Sequence, residues 1–313
     1  MYRQEDSIYI SDVDSLELST LTVLPDGDAK AVMMIMHGMC EYKERYLPFM
    51  QYLASKGIAS VIYDQRGHGK SVKSKKDLGF MYSCGVGGYL KDMVSINEMI
   101  RGRFPGLPLI LFGHSMGSLA VRAFASEHDD LIDMLIVCGS PSDNAAKGIG
   151  KTIAKTEGRI RGLNHKSQVL EKMSFGGYAA KFRNEKSPFA WLCTDPEVVK
   201  AYEESDYCGF TFTDEAYQVL FELMEKAYDI KKWILTNQRM PVLFISGEDD
   251  PCMGNIQGFS KAVQAMRNAG YRDVRGKVYK GMRHEILNEK DKETVYEDIV
   301  KYIFQKISKE AKE

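Results

Sequence analysis

The 313-residue chain lacks any run of about eighteen consecutive apolar residues, the length at which a helix begins to cross a bilayer. Its first residues are polar and acidic, and no basic stretch followed by an apolar core marks a secretory signal peptide. The formal net charge is only −1, which gives no electrostatic reason to expect a nucleic acid as partner. We therefore predict a chain with no transmembrane segment and no nucleic-acid partner.

Paired cysteine spacings are also missing. The six cysteines are scattered, and none forms the Cys-x-x-Cys pair that is typical of many metal and redox sites. This usage predicts reduced thiols and a cytoplasmic location. The acidic triplet Glu248-Asp249-Asp250 is more simply a solvated turn than a cation site. The sequence thus predicts neither a metal nor a cofactor.

Short apolar runs alternate with helix-like stretches over most of the chain. The runs expected as buried strands are residues 31–36, 58–63, 109–112, 131–137 and 242–246, with an alternating strand at 15–24 before them. The stretches expected as helices are 88–103, 116–127, 256–269 and a closing helix at about 290–309. This alternation predicts an α/β fold with a mostly parallel sheet flanked by helices.

The alternation stops between about residues 141 and 238. This interval lacks short apolar runs, opens with a lysine- and glycine-rich loop near 147–161, and has a helix start at Thr213. We interpret it as a helical insertion. The expected organisation is a core domain formed by residues 1–140 and 239–313, with residues 141–238 as a helical cap.

A Gly-x-Ser-x-Gly turn at residues 113–117 follows one of the expected strands and precedes an expected helix. Such a strand-to-helix elbow holds its serine exposed, which a nucleophilic hydroxyl requires. Gly113 and Gly117 leave room for the bend because neither has a Cβ. Ser115 is therefore the candidate nucleophile, although a glycine-rich turn whose serine only caps a helix remains the alternative.

A serine nucleophile needs a base, and the base needs an acid that fixes its tautomer. In sheets of this kind the chain order is serine, acid, histidine, and of the six histidines only His284 lies late enough. It follows the expected strand at residues 276–279. The acid candidate is Asp250, which leaves the strand at 242–246, and Asp143 is a competitor after the strand at 131–137.

An oxyanion produced at the serine requires two backbone donors. The Met116 N–H lies at the start of the expected helix, where the helix dipole favours negative charge. The second donor is the Met39 N–H, because the flexible Gly38 after the strand at 31–36 can turn it towards Ser115.

Several segments together resemble the serine α/β-hydrolases of the monoacylglycerol lipase and lysophospholipase-like group. They are the His-Gly-Met-Cys-Glu-Tyr segment at 37–42 with Arg45-Tyr46, the Asp-Gln-Arg-Gly-His-Gly-Lys-Ser segment at 64–71, the Gly-His-Ser-Met-Gly elbow at 113–117, Gly-Glu-Asp-Asp at 247–250 and Arg-His-Glu at 283–285. The resemblance favours Asp250 as the acid. It implies the α/β-hydrolase fold with a helical cap and chemistry without a cofactor or metal.

The resemblance also implies a function. The expected enzyme is a serine hydrolase that cleaves carboxylic esters through an acyl-enzyme, and its expected partner is a small-molecule ester with an acyl chain, either a monoacylglycerol or a lysophospholipid. A broad short-chain carboxylesterase and a related peptidase are alternatives on the same scaffold. A non-hydrolytic small-molecule-binding protein is the alternative from another class. The aromatic residues of the cap are expected to line an acyl pocket.

Overall fold

A computed structural model describes residues 2–144 and 146–310, and within them eight strands form one sheet. The strands are β1 (Tyr2–Ile10), β2 (Glu17–Pro25), β3 (Ala31–Met36), β4 (Ile58–Tyr63), β5 (Leu109–His114), β6 (Met134–Cys138), β7 (Val242–Gly247) and β8 (Val274–Tyr279). Their order across the sheet is β1-β2-β4-β3-β5-β6-β7-β8. The neighbouring strands from β4 across to β8 are all parallel. The two pairs at the other end of the sheet, β1 with β2 and β2 with β4, are antiparallel. The prediction of a mostly parallel sheet is confirmed.

The central strands have the burial that their sequences predict. Every residue of β3, β4, β5, β6 and β7 is buried, which explains why these strands are apolar runs without polar alternation. Helices cover both faces of the sheet. They are α1 (Leu47–Ser55), α2 (Gly85–Arg103), α3 (Met116–His128), α4 (Lys147–Arg161), α5 (Gln168–Lys181), α6 (Pro196–Glu203), α7 (Asp214–Tyr228), α8 (Ile256–Ala269) and α9 (Lys292–Glu310).

The two faces have separate apolar cores. One core joins α2, α3, α7 and α8 to the sheet, and the other joins α1 and α9 to its opposite face. Because β3, β5, β7 and β8 run parallel, the turns that follow them meet at one edge of the sheet. Open α/β sheets bind their ligands at this edge.

Strand β1 was not predicted, because its sequence is polar and acidic. It lies at the edge of the sheet, paired with β2 from Tyr2 opposite Pro25 to Ile10 opposite Glu17. Most of its side chains are exposed, so no buried face selects an apolar pattern. Charged edge strands of this kind resist pairing with other chains.

The segment between β6 and β7 contains α4 to α7, and its opening differs from the prediction. Residues 147–161 were expected as a loop, but they form helix α4. Two glycines of α4 explain the difference. A Cβ on Gly150 would lie 2.5 Å from the Phe221 ring, and a Cβ on Gly158 would lie 3.5 Å from the Asp214 Cβ, so both positions pack closely against α7. Packing onto α7 therefore outweighs the low helix propensity of glycine.

Two compositional features can be compared with the structure. No helix in the described ranges combines the length and apolar character that a membrane crossing requires. All six cysteines, which lie within those ranges, are unpaired thiols. Four of them are buried, namely Cys40, Cys138, Cys193 and Cys252.

Candidate active site

Ser115 occupies a sharp turn between β5 and α3. Its backbone has φ 53° and ψ −117°, a region that residues with a side chain rarely adopt. Such a conformation costs on the order of 1–3 kcal/mol and is found mostly at functional sites, where the surrounding structure holds it. The turn directs the Ser115 side chain into a cavity at the carboxyl edge of the sheet. This is the elbow that the sequence predicts.

The two glycines of the elbow are required by close approach. A Cβ on Gly113 would lie 2.3 Å from the Gly117 carbonyl oxygen, and a Cβ on Gly117 would lie 2.2 Å from the Met36 carbonyl oxygen. Backbone atoms cannot move aside as a flexible side chain can. The elbow therefore packs directly onto the end of β3, and no larger residue fits at either position.

His284 and Asp250 meet on the turns after β8 and β7. His284 Nδ1 lies 3.0 Å from both carboxylate oxygens of Asp250, and both side chains are buried. Asp250 also accepts hydrogen bonds from the Cys252 N–H at 2.8 Å and the Ser246 hydroxyl at 3.0 Å. These bonds fix the carboxylate, which in turn orients the imidazole.

The electrostatics of this pair follow from its geometry. Burial opposes charge on His284, but the adjacent Asp250 carboxylate dominates and raises the pKa of the imidazole well above its ordinary value. Burial likewise opposes charge on Asp250, and the His284 ring together with three hydrogen bonds lowers the pKa of the carboxyl. The pair is therefore built to hold a proton on Nδ1 and to stabilise an imidazolium when Nε2 accepts a second proton.

His284 and Ser115 lie at the wall of the same cavity. Both residues line a cavity of about 490 Å³. The Cys252 Sγ lies 3.8 Å from His284 Nε2. Among the described residues, no hydrogen bond joins Nε2 to Ser115. Contacts of this kind are often long before substrate binds and shorten in the reacting complex.

The predicted donors Met39 and Met116 flank Ser115. Both methionines line a second, smaller cavity together with Ser115. The loop after β3 passes directly over the elbow, since a Cβ on Gly38 would lie 3.2 Å from the Ser115 Cβ. Met116 begins α3, so its N–H has no acceptor within the helix. The Met39 N–H has no protein acceptor in the described part of the chain.

Comparison with known proteins identifies the family. The profile of the family described as serine aminopeptidase, S33, matches residues 27–291. The chain belongs to this S33 family. The match spans β3 to the turn after β8, so it includes the Ser115 elbow and the turns that carry Asp250 and His284.

Individual relatives of this S33 member are lipid and ester hydrolases. The monoacylglycerol lipase of Mycolicibacterium smegmatis is 24% identical and covers 89% of this chain and 90% of its own. A phospholipase of Bacillus subtilis is 23% identical, with 85% of this chain and 92% of its own covered. These similarities confirm the predicted group and the coarser function: the chain is a carboxylic ester hydrolase.

Solved structures confirm the α/β-hydrolase fold. A thermostable carboxyl esterase from Bacillus coagulans superposes with a TM-score of 0.89 at 22% identity, covering 97% of this chain and 99% of its own. The monoglyceride lipase of Saccharomyces cerevisiae superposes with a TM-score of 0.77 at 18% identity, covering 96% and 95%.

A buried ion cluster, which no sequence pattern indicates, holds the active-site loops of this S33 member together. Arg45 Nη1 donates to Glu41 Oε2 at 2.6 Å and to Glu285 Oε1 at 2.7 Å. Glu41 in turn accepts the Gly38 N–H at 2.5 Å, and Glu285 directly follows His284. Arg45 thus joins the loop that carries Met39 to the loop that carries His284. These residues lie in the motifs quoted above, but only the structure brings them together.

Replacing Arg45 by methionine is expected to lower the free energy of unfolding by about 3–5 kcal/mol, because two buried carboxylates would lose their shared cation. Denaturation in urea measures this loss. Arg45→Lys is the matched control, since it keeps the charge but not the forked geometry, and we expect it to lose less stability. An Arg45→Met protein as stable as the parent would show that the cluster contributes nothing.

The other histidines of this S33 member are not paired with the candidate nucleophile. Burial lowers the pKa of His37 to about 4, that of His68 to about 3 and that of His114 to about 4, so these three remain neutral. His114 lies beside His284, with ring centroids 4.6 Å apart. His165 pairs with Asp214 in the inserted segment.

Asp143, the competing acid, is not placed near the base. Its side chain is half exposed and forms an ion pair with Lys147 at the start of α4. Glu248 and Asp249, the neighbours of Asp250, are exposed. The geometry therefore brings together Ser115, His284 and Asp250, and it leaves Asp143 outside.

The segment between β6 and β7 forms much of the cavity wall. Helix α5 and the segment after it contribute most of the apolar lining, and loops after β3 and β8 contribute acidic groups. The large apolar residues of the wall are Phe175, Phe189, Trp191, Leu192 and Phe210. Trp191 also packs against His284, with the two ring centroids 5.2 Å apart. The smaller cavity, of about 110 Å³, lies between α5, α7 and the elbow.

Proposed function

We propose that this hydrolase cleaves monoacylglycerols or lysophospholipids, with Ser115 as nucleophile, His284 as general base and Asp250 as the orienting acid. The observation that carries the proposal is the strained Ser115 elbow at the wall of an apolar cavity of about 490 Å³ that also contains the His284 ring. Binding alone requires neither a strained serine nor a carboxylate-paired histidine beside it.

The reaction follows from these positions. His284 Nε2 accepts the proton of the Ser115 hydroxyl while Oγ attacks the ester carbonyl, and Asp250 holds the Nδ1 proton. The carbonyl electron pair moves to oxygen, where the Met39 and Met116 N–H groups stabilise the oxyanion. The C–O bond then breaks, and the imidazolium gives its proton to the departing alcohol. Water repeats the same steps on the acyl-enzyme and releases the fatty acid.

The apolar wall supports an acyl chain as the occupant of the larger cavity. Phe175, Phe189 and Phe210 face a space that a polar alcohol alone would fill poorly. The names of the two relatives, a monoacylglycerol lipase and a phospholipase, support the same substrate class. These relatives are 23–24% identical to the chain, and the substrate panel described below distinguishes a glycerol headgroup from a phosphate headgroup.

We further propose that residues 141–238 act as a cap over a core made of residues 1–140 and 239–313. Helix α5 supports this assignment because it lines both cavities, yet only Leu170 of its 14 residues is buried. The apolar side chains of Val169 and Met173 are exposed on this helix. Exposed apolar side chains on a helix that lines both cavities suit the approach of an aggregated lipid. The predicted cytoplasmic location remains a proposal that rests on the unpaired thiols.

A substrate panel tests the proposal. Para-nitrophenyl esters from acetate to palmitate are compared with monoacylglycerols, lysophospholipids and an aminoacyl anilide. We expect kcat/KM to rise at least about tenfold from acetate to the preferred longer chain, because each buried methylene contributes up to about 0.8 kcal/mol. Equal activity across chain lengths would contradict the acyl-chain cavity. Preference for the anilide would favour the peptidase.

A further inference from the structure

A second cluster of ionisable groups lies in the inserted segment and has no part in the proposed reaction. Glu157 of α4, His165 of the following connection and Asp214 at the start of α7 each place one nitrogen or oxygen ligand atom within 4.8 Å of the others. Asp214 is fully buried, whereas Glu157 and His165 are half-buried, which leaves the cluster reachable from solvent.

Two carboxylate oxygens in this cluster lack donors. Asp214 Oδ2 lies 3.0 Å from His165 Nδ1, but Asp214 Oδ1 has no hydrogen-bond partner among the described residues. Glu157 Oε2 is likewise inaccessible to solvent and without a partner there. Buried carboxylate oxygens are costly to leave unsatisfied, and two such groups close together also repel each other.

The backbone around the cluster is held in place. The Asp214 N–H donates to the His165 carbonyl at 2.8 Å, and the Glu215 N–H donates to the Leu163 carbonyl at 3.2 Å. Gly158, next to Glu157, lets α4 approach this turn closely. The three ligand groups therefore come from segments that are already fixed relative to one another, which lowers the entropic cost of binding an ion.

We propose that Glu157, His165 and Asp214 bind a divalent cation of the zinc class. One imidazole nitrogen and two carboxylate oxygens form a ligand set that suits Zn²⁺, and water would complete a tetrahedral site. The cation satisfies Asp214 Oδ1 and Glu157 Oε2 together. It also links α4, the connection before α5 and the start of α7, and so restrains the cap.

Arg161 gives the proposal a specific signature. Its Nη1 lies 3.2 Å from His165 Nε2, so the guanidinium places a positive charge beside the cluster. With Nδ1 on the cation, Nε2 carries the imidazole proton and the exposed Arg161 side chain turns to solvent. Removing Arg161 should therefore increase the affinity for the cation. If the cluster only paired charges within the protein, the same substitution would weaken the cluster.

The experiment measures Zn²⁺ binding to chelator-treated protein by titration calorimetry and by the shift in melting temperature. It uses a Cys252→Ser background, because Asp250, Cys252 and His284 also lie within 4.8 Å of one another and offer a competing thiol. The variants are Asp214→Asn and Arg161→Gln, with Asp143→Asn as an exposed-carboxylate control. His165→Gln replaces Asp214→Asn if the latter does not fold.

We expect one equivalent of Zn²⁺ to bind and to raise the melting temperature. Asp214→Asn should weaken binding at least about tenfold and abolish the shift, Arg161→Gln should bind several-fold more tightly, and Asp143→Asn should match the parent. No stoichiometric binding, or equal affinity in the Asp214→Asn protein, would overturn the proposal. These readouts do not depend on ester hydrolysis, so they separate this inference from the proposed function.

Discussion

Replacing Ser115 by alanine is expected to lower kcat for a carboxylic ester about 10⁶-fold, the loss typical of removing a nucleophile from an intact triad. The substitution deletes only the hydroxyl that attacks the carbonyl. It keeps the Cβ, and no hydrogen bond of the described residues depends on the Ser115 Oγ. The protein should therefore remain folded and bind substrate, which steady-state kinetics and circular dichroism can establish together.

Ser115→Gly is the matched control for the strained elbow. Glycine adopts a positive φ without the steric cost of a Cβ, so this variant should be more stable than Ser115→Ala by about 1 kcal/mol. It should be equally inactive. Retained esterase activity in either variant would remove Ser115 from the proposed mechanism, whereas equal stability of the two would show that the backbone at φ 53° carries no strain.

Replacing Asp250 by asparagine is expected to lower kcat about 10⁴-fold, because the amide fixes His284 in the wrong tautomer for accepting the serine proton. Asp143→Asn is the matched control, and its kcat should remain within about twofold of the parent because the half-exposed Asp143 pairs with Lys147 and not with His284. Each variant replaces one carboxylate oxygen by an amide nitrogen, so their kcat values on one substrate can be compared directly to decide between the two acids. A large loss in Asp143→Asn alone would reverse the assignment.

The pH profile gives an independent readout of the same pair. His284 must be neutral at Nε2 to act as base, so activity falls as the pH drops through its pKa. Because Asp250 raises that pKa, the parent should lose activity on the acidic side at a higher pH than an ordinary histidine would. Without the carboxylate the pKa decreases. The residual activity of Asp250→Asn should therefore persist to lower pH, and an unchanged acidic limb would contradict the coupling.

The catalytic candidates could be found in the sequence because each is tied to a strand end. Ser115, Asp250 and His284 follow β5, β7 and β8, and buried parallel strands are recognisable as apolar runs. The order of the turns then restricts the partners. Local residues separated Asp250 from Asp143 only weakly, because both follow a strand, and the resemblance to the hydrolase group favoured Asp250. The contact between Asp250 and His284 supports that choice.

Features that depend on contacts between distant segments were not predictable. Residues 147–161 form helix α4 because Gly150 and Gly158 pack closely against α7. The low helix propensity of glycine alone would have argued against a helix there. Arg45 lies 240 residues from Glu285, so their ion pair has no local pattern. The same holds for Glu157 and Asp214, which lie far apart in the sequence and meet only in the fold. Strand β1 escaped prediction because an exposed edge strand needs no apolar face.

The proposed substrate preference depends on the segment between β6 and β7, the part of the chain whose structure the sequence predicts least well. In the segment between β6 and β7, the rings of Phe175 and Trp191 stack with their centroids 6.0 Å apart. Aromatic residues in this segment could belong either to its own core or to a pocket wall. Trp191 serves both roles, since it is buried in a small apolar core with Leu192 and Val199 and also lines the larger cavity.

Covalent labelling with a fluorophosphonate, followed by peptide mapping in a mass spectrometer, tests the central claim most directly. The account predicts one label per chain, attached to Ser115, and much slower labelling of the Asp250→Asn protein because its base is impaired. Absence of label on folded protein, or a label on Cys252 or another residue in place of Ser115, would contradict it.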